Sequence, residues 1–340
     1  MERQDTAKLK GIAILMIVLF HFQYTLFNDA FMASFNLGFL GWSQKVLAYL
    51  TIKPEYFWGF FFALGYIGVH IFLILSGYGL TKKYLTQAKG ISLRQWGKQI
   101  WKLLLPYFIA LPLTHIVNWC LQNVRYWTGN IEAVPQFFDI YKLEQYWQSI
   151  IFPTRWLTQD LAFNFVGTWW FIGTILQFYI AYPLLLRLLK EFGALKLLLI
   201  AIAISLIYRL MLVNLTDEAP IGIYQANALG FISIFARLPE FVLGMYFATR
   251  TSWFLFNKQF LVGIILVIVG IAFSSFGWGT IFSDMFIGFG LVLTFARVLN
   301  ILQGVSGKIS QWLGNKAYYI FLYHEPAMSM IIRILVSTPL

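Results

Sequence analysis

The sequence predicts an all-α integral-membrane protein, a bundle of nine to ten transmembrane helices with a cytoplasmic N-terminus. Composition is the first reason: 59% of the 340 residues are hydrophobic, 11% are charged and the mean hydropathy is +0.71. A soluble domain of this size needs far more polar surface. The second reason is nine apolar stretches close to the roughly 20 residues that a bilayer crossing requires. The third is charge placement, because Lys and Arg concentrate in every second connection, as cytoplasmic loops do.

The first span, Ala7–Phe27, follows Arg3 and carries Lys8 and Lys10 at its start. No small-residue cleavage site follows its apolar run, so it reads as a retained helix and not a removed signal peptide. Asn36–Leu50 is apolar but short and contains Lys45. It fits an interfacial helix, or a tenth span that would spoil the charge alternation of the later half. Phe57–Leu80 is the second span, and Lys82, Lys83, Lys89, Arg94 and Lys98 fill the basic connection after it. Ile100–Cys120 is the third. The longest connection, Leu121–Asn164, lies outside and mixes Arg125, Glu132, Asp139, Glu144, Arg155 and Asp160 with many aromatics. A connection of that length fits either a lid over an external cavity or an interfacial loop.

Phe165–Arg187 is the fourth span, with Arg187, Lys190 and Lys196 on the basic side and Leu195–Val213 returning. Asp217 and Glu218 mark the next external connection. Ala228–Thr249, Phe260–Phe276, Thr280–Leu299 and Ala317–Val336 complete the series. Arg250 with Lys258, and Arg297 with Lys308 and Lys316, supply the remaining basic connections. The chain reads as one membrane domain over residues 1–340, with no internal repeat and no appended soluble domain.

The net charge of +11 is explained by these inside loops, and nucleic acid is not implied. Much of the 19% aromatic content belongs to lipid-facing packing and interfacial belts. Cys120 is the single cysteine, which excludes an intramolecular disulfide and a cysteine-based metal site. HExxH, glycine-rich phosphate loops and the G-x-S-x-G elbow are absent, so no metal site is expected.

All four histidines lie in apolar segments, where an ionisable side chain is costly and commonly functional. His21 is the first candidate, since a neutral imidazole can serve as a base. Lys10 precedes it by eleven positions, which returns to within roughly 20° of the same helix face about 16 Å away. Alone, Lys10 also reads as a snorkelling anchor. His70 sits among Gly65, Gly68 and Gly77, which permit close helix approach. His115, near the outer end of its span, reads as interfacial. Arg237 and Glu240 have helical pair spacing with Pro239 between them. Pro326 should kink the last span beside His324 and Glu325, because it cannot bond the Leu322 carbonyl. Those two neighbours point about 100° apart and cannot both face one site squarely.

In this order the motifs resemble the integral-membrane acyltransferase type 3 family of bacteria. Leu9-Lys10-Gly11-Ile12-Ala13 followed by His21 resembles its opening motif, where Arg usually stands at position 10. Gly68-Val69-His70-Ile71-Phe72 to Ser76-Gly77 resembles its second-span motif, although that motif commonly has Asp at position 70. Trp169-Trp170-Phe171 with Tyr179 and Pro183 resembles its aromatic motif. Leu238-Pro239-Glu240-Phe241 to Gly244-Met245, and Leu313-Gly314 to His324, resemble its late signatures. The basic residue usual just before the third-span proline has no clean counterpart, since Lys102 lies four before Pro106.

The resemblance implies a membrane-bound O-acyltransferase of the bacterial inner membrane. It would take an acyl group, acetyl in the expected case, from cytoplasmic acyl-CoA to a hydroxyl of a glycan or lipid-linked sugar. Acyl-CoA is then a co-substrate and no resident cofactor is expected. His21 becomes the general base or transient acyl carrier, His70 its partner in place of the family Asp, and His324 a further catalytic candidate. Lys10, with Lys98 or Lys102, would bind donor phosphates, and Arg237, Glu240 and Trp169 would shape the substrate cavity. Two other classes stay open: a proton-coupled transporter or flippase of envelope precursors, and a non-catalytic partner of a polysaccharide synthase.

Overall fold

A computed structural model describes residues 3–26, 64–87, 90–129, 131–137, 166–216, 232–250, 258–274, 280–301 and 304–337. The segment Asn36–Leu50 and most of the Leu121–Asn164 connection lie outside them. Among the described residues the chain is an all-α bundle of nine helices, one for each expected span, with no strand. They are α1 Arg3–Leu26, α2 Gly68–Tyr84, α3 Leu93–Trp127, α4 Trp170–Phe192, α5 Ala194–Thr216, α6 Ile234–Ala248, α7 Lys258–Ser274, α8 Thr280–Ile301 and α9 Val305–Ser337. Short 3₁₀ turns, Leu64–Ile67 and Gly167–Trp169, lead into α2 and α4. Leu93–Trp127, Gly167–Phe192 and Ala194–Met211 are long and apolar enough to cross a membrane.

Two helices outrun the apolar stretches that announced them. α3 begins at a reciprocal cap in which the Ser92 hydroxyl accepts the Gln95 N–H and the Gln95 side chain accepts the Ser92 N–H. It then continues past Cys120 into what read as loop. α9 starts twelve residues before Ala317, because Val305–Lys316 is helical but too polar to register as a span.

Small residues set the closest crossings. A Cβ on Gly11 would meet the Ser310 carbonyl and one on Gly314 the Ala7 carbonyl, so α1 and α9 touch backbone to backbone. Gly77 and Gly244 do the same for α2 and α6, against the Phe241 and Ile74 carbonyls. Such contacts are how helices associate where apolar burial alone cannot choose a partner.

Two of the prolines inside helices, Pro183 and Pro326, have the carbonyl four residues back answered by a donor from another element. A proline has no N–H for the carbonyl four residues back, and that carbonyl must find another donor. Trp96 Nε1–H donates to Tyr179 O at 2.8 Å, four before Pro183, and Trp169 Nε1–H donates to Leu322 O at 3.0 Å, four before Pro326. Near Pro239, Ala236 O, three residues back, accepts from Ser205 Oγ at 3.0 Å and from Arg209 at 2.9 Å. At Pro106 the Leu103 carbonyl accepts the Tyr318 hydroxyl. These bonds tie α3 to α4 and α9, α5 to α6, and the turn before α4 to α9.

Candidate active site

α1 carries His21 on the face turned to α9. Its Nδ1 lies 2.8 Å from Ile17 O, one turn back in the same helix. A carbonyl only accepts, so Nδ1 holds the proton and Nε2 is the basic atom. The His324 ring meets the His21 ring near edge-to-face, with centroids 5.0 Å apart and planes at 70°. His324 is tethered in the same way, Nδ1–H to Phe321 O at 2.7 Å. Its Nε2 is buried with no hydrogen-bond partner among the described residues.

Glu325 turns away from that contact, as adjacent helical positions require, and accepts the Thr168 N–H at 2.8 Å. Trp169, the next residue along the turn, is 2% exposed and its indole N–H is committed to Leu322 O. It supports the site from behind.

His70 belongs to a different cluster. Its Nδ1–H donates to Glu240 Oε1 at 3.0 Å, and its Nε2 lies 3.6 Å from Asp284 Oδ2. Arg237 reaches Glu240 at 3.4 Å and Asp284 at 3.3 Å, while the Tyr66 hydroxyl donates to Asp284 Oδ1 at 2.9 Å. Arg209 acts on Glu240 from α5. His70, Arg209, Arg237, Glu240 and Asp284 are each at most 3% exposed. Two guanidiniums balance two carboxylates, the condition for keeping such charges away from water. The expected pairing of His70 with His21 is thus replaced by two others, His21 with His324 and His70 with Glu240. The two groups adjoin through Phe20, whose ring lies 5.0 Å from His21 and 6.3 Å from Tyr66.

Lys10 lines a cavity of about 730 Å³ with Lys82, Lys83, Gln99, Tyr179 and Asn315. Three lysines line that one concave surface. Lys98 and Lys102 are exposed on α3 and are not among its lining residues. Arg237 and Glu240 form a buried pair, and Glu240 borders a space of only about 10 Å³ that also touches Arg209 and Ser205. His115 is fully buried; its Nε2–H donates to Phe137 O at 2.6 Å and holds the segment 131–137 against α3.

Sequence reading missed Asp284, Arg209, Thr168 and the cavity role of Lys82 and Lys83. A signal existed for the first two. Asp284 is the one acidic residue of Thr280–Leu299, and Arg209 is the one charged residue of Leu197–Val213. A lone charge in an apolar span needs a partner. Thr168 had no such signal, because it contributes only its backbone N–H.

The family profile of an acyltransferase domain matches residues 9–340. The peptidoglycan O-acetyltransferase OatA of Listeria monocytogenes is 26% identical over 305 residues. That match takes in 81% of this chain but 46% of the relative, so the chain spans about half of that protein's length. No solved structure matches. With the profile running from Leu9 through the His324 helix to the last residue, the chain belongs to the acyltransferase type 3 family.

Proposed function

We propose that the protein is a multi-pass O-acetyltransferase of the bacterial cell membrane, moving acetyl groups from cytoplasmic acetyl-CoA to a hydroxyl of a cell-envelope glycan. The observation that carries this reading is the layout of α1. Its Lys10 end opens into the three-lysine cavity, and its His21 end lies against a second imidazole. Mobile ammonium groups suit the phosphates of coenzyme A. The Lys10 cavity and His21 are about 16 Å apart along the helix, so the extended pantetheine arm would run beside α1 to bring the thioester to His21. The relative named for peptidoglycan O-acetylation supports the choice of acceptor class.

In this mechanism His21 Nε2 takes the proton of the acceptor hydroxyl as its oxygen attacks the thioester carbonyl. The new C–O bond forms, the C–S bond of the tetrahedral intermediate breaks, and the imidazolium returns its proton to the departing thiolate. His324 lies edge-on against the His21 ring and places a second imidazole beside the reacting group. The acyl-CoA is a co-substrate, and no step uses a resident cofactor.

Purified protein given labelled acetyl-CoA and soluble peptidoglycan fragments tests the reading. Thioester consumption with label in an ester of the glycan is expected. Intact thioester under conditions where the protein is folded would favour a transporter or a non-catalytic partner instead.

A further inference from the structure

The turn before α4 makes two bonds to α9, and both land beside His324. The Thr168 N–H binds the Glu325 carboxylate, and the Trp169 indole binds Leu322 O, the carbonyl left without its helical donor by Pro326. His324 lies between those two anchor points in sequence. Its own tether, Phe321 O at 2.7 Å, is the neighbouring carbonyl in the opened turn. Trp169 cannot slide, because it is 2% exposed and its ring meets Tyr107 edge-on at 5.4 Å.

From this geometry we infer that Trp169 is a positioning residue for the histidine pair. Its indole N–H fixes the Pro326 kink at the angle that lays the His324 ring on His21. The inference rests on the assignment of that pair to acyl transfer, but its mechanical part stands apart from the chemistry. A proline kink without the indole bond would leave the Leu322 carbonyl buried and unbonded, and α9 would turn to satisfy it. The His324 ring would move with it.

The test has two arms. In a Cys120→Ser background, with the exposed native thiol removed, His21→Cys and His324→Cys are linked by a short bifunctional methanethiosulfonate. Adding Trp169→Phe should slow the linkage severalfold; an unchanged rate overturns the inference, whatever the donor proves to be. In the second arm, Trp169→Phe should lower kcat for acetyl transfer by about a hundredfold, as small misplacements of catalytic groups do, with KM for acetyl-CoA unchanged. Adding Pro326→Ala to Trp169→Phe returns a backbone N–H to Leu322 O. That double variant should regain thermal stability without regaining kcat, because the kink is gone. Recovery of both would make Trp169 a stability residue only and overturn the inference. A wild-type protein that consumes no acetyl-CoA would instead count against the proposed activity, leaving the linkage arm to decide this one.

Discussion

The imidazoles of His21 and His324, at opposite ends of the chain, lie with ring centroids 5.0 Å apart. The two helices cross backbone to backbone at Gly11 and Gly314, and Pro326 lies inside α9 two residues beyond His324. Each ring spends its Nδ1–H on a carbonyl of its own helix, which fixes the tautomer and turns the basic nitrogens away from the backbone.

Replacing His21 by Ala should abolish acetyl transfer while the protein stays monodisperse in detergent. Replacing His324 by Ala should lower kcat strongly and leave KM for acetyl-CoA near its wild-type value, because the lysine cavity is elsewhere. Steady-state kinetics on both variants check this. Near-normal kcat for the His21 variant would remove it from the chemistry.

Donor binding should track the cavity and not simply the count of basic residues. Lys10→Ala and the pair Lys82→Ala with Lys83→Ala should each raise KM for acetyl-CoA more than they lower kcat. The pair Lys98→Ala with Lys102→Ala should change KM little, since those side chains point out from α3. Titration with acetyl-CoA separates the sets, and a larger effect from Lys98 and Lys102 would relocate the phosphate site.

His70→Asp is a sharp probe of the buried network. A carboxylate at 70 would join Glu240 and Asp284, leaving three negative groups to share Arg237 and Arg209. The substitution should therefore destabilise the protein more than His70→Ala does. Adding Asp284→Asn should recover most of the loss by restoring the charge balance. Melting temperatures of the three variants in one detergent give the answer, and no recovery in the double variant would argue against coupling of the two positions.

Asp284→Leu should be among the most damaging single changes. It strips Arg237 of one partner and leaves the Tyr66 hydroxyl without its acceptor. Breaking a buried ion pair from one side costs about 3–5 kcal/mol. Unfolding followed by intrinsic fluorescence should show the loss, and a stability within 1 kcal/mol of wild type, the scale of an exposed ion pair at about 0–1 kcal/mol, would mean that water reaches the cluster.

By itself the sequence determined the all-α class, nine of the apolar spans and the candidacy of His21, His324, Lys10 and the Arg237–Glu240 pair. Those follow from local rules: span length, charge in loops, and the rarity of ionisable side chains in apolar helices. It also located the Leu322 carbonyl that lacks a helical donor, because a proline's missing N–H is a property of one residue. The partners were decided by tertiary structure. Sequence reading gave His70 to His21, but the crossings at Gly77 and Gly244 bring α2 onto α6 and put His70 beside Glu240. Asp284 joined it from α8, and Lys82 and Lys83, not Lys98 and Lys102, joined Lys10. Contacts between helices far apart in sequence depend on which small residues allow backbones to meet and which donors answer each proline, and no local pattern encodes those pairings.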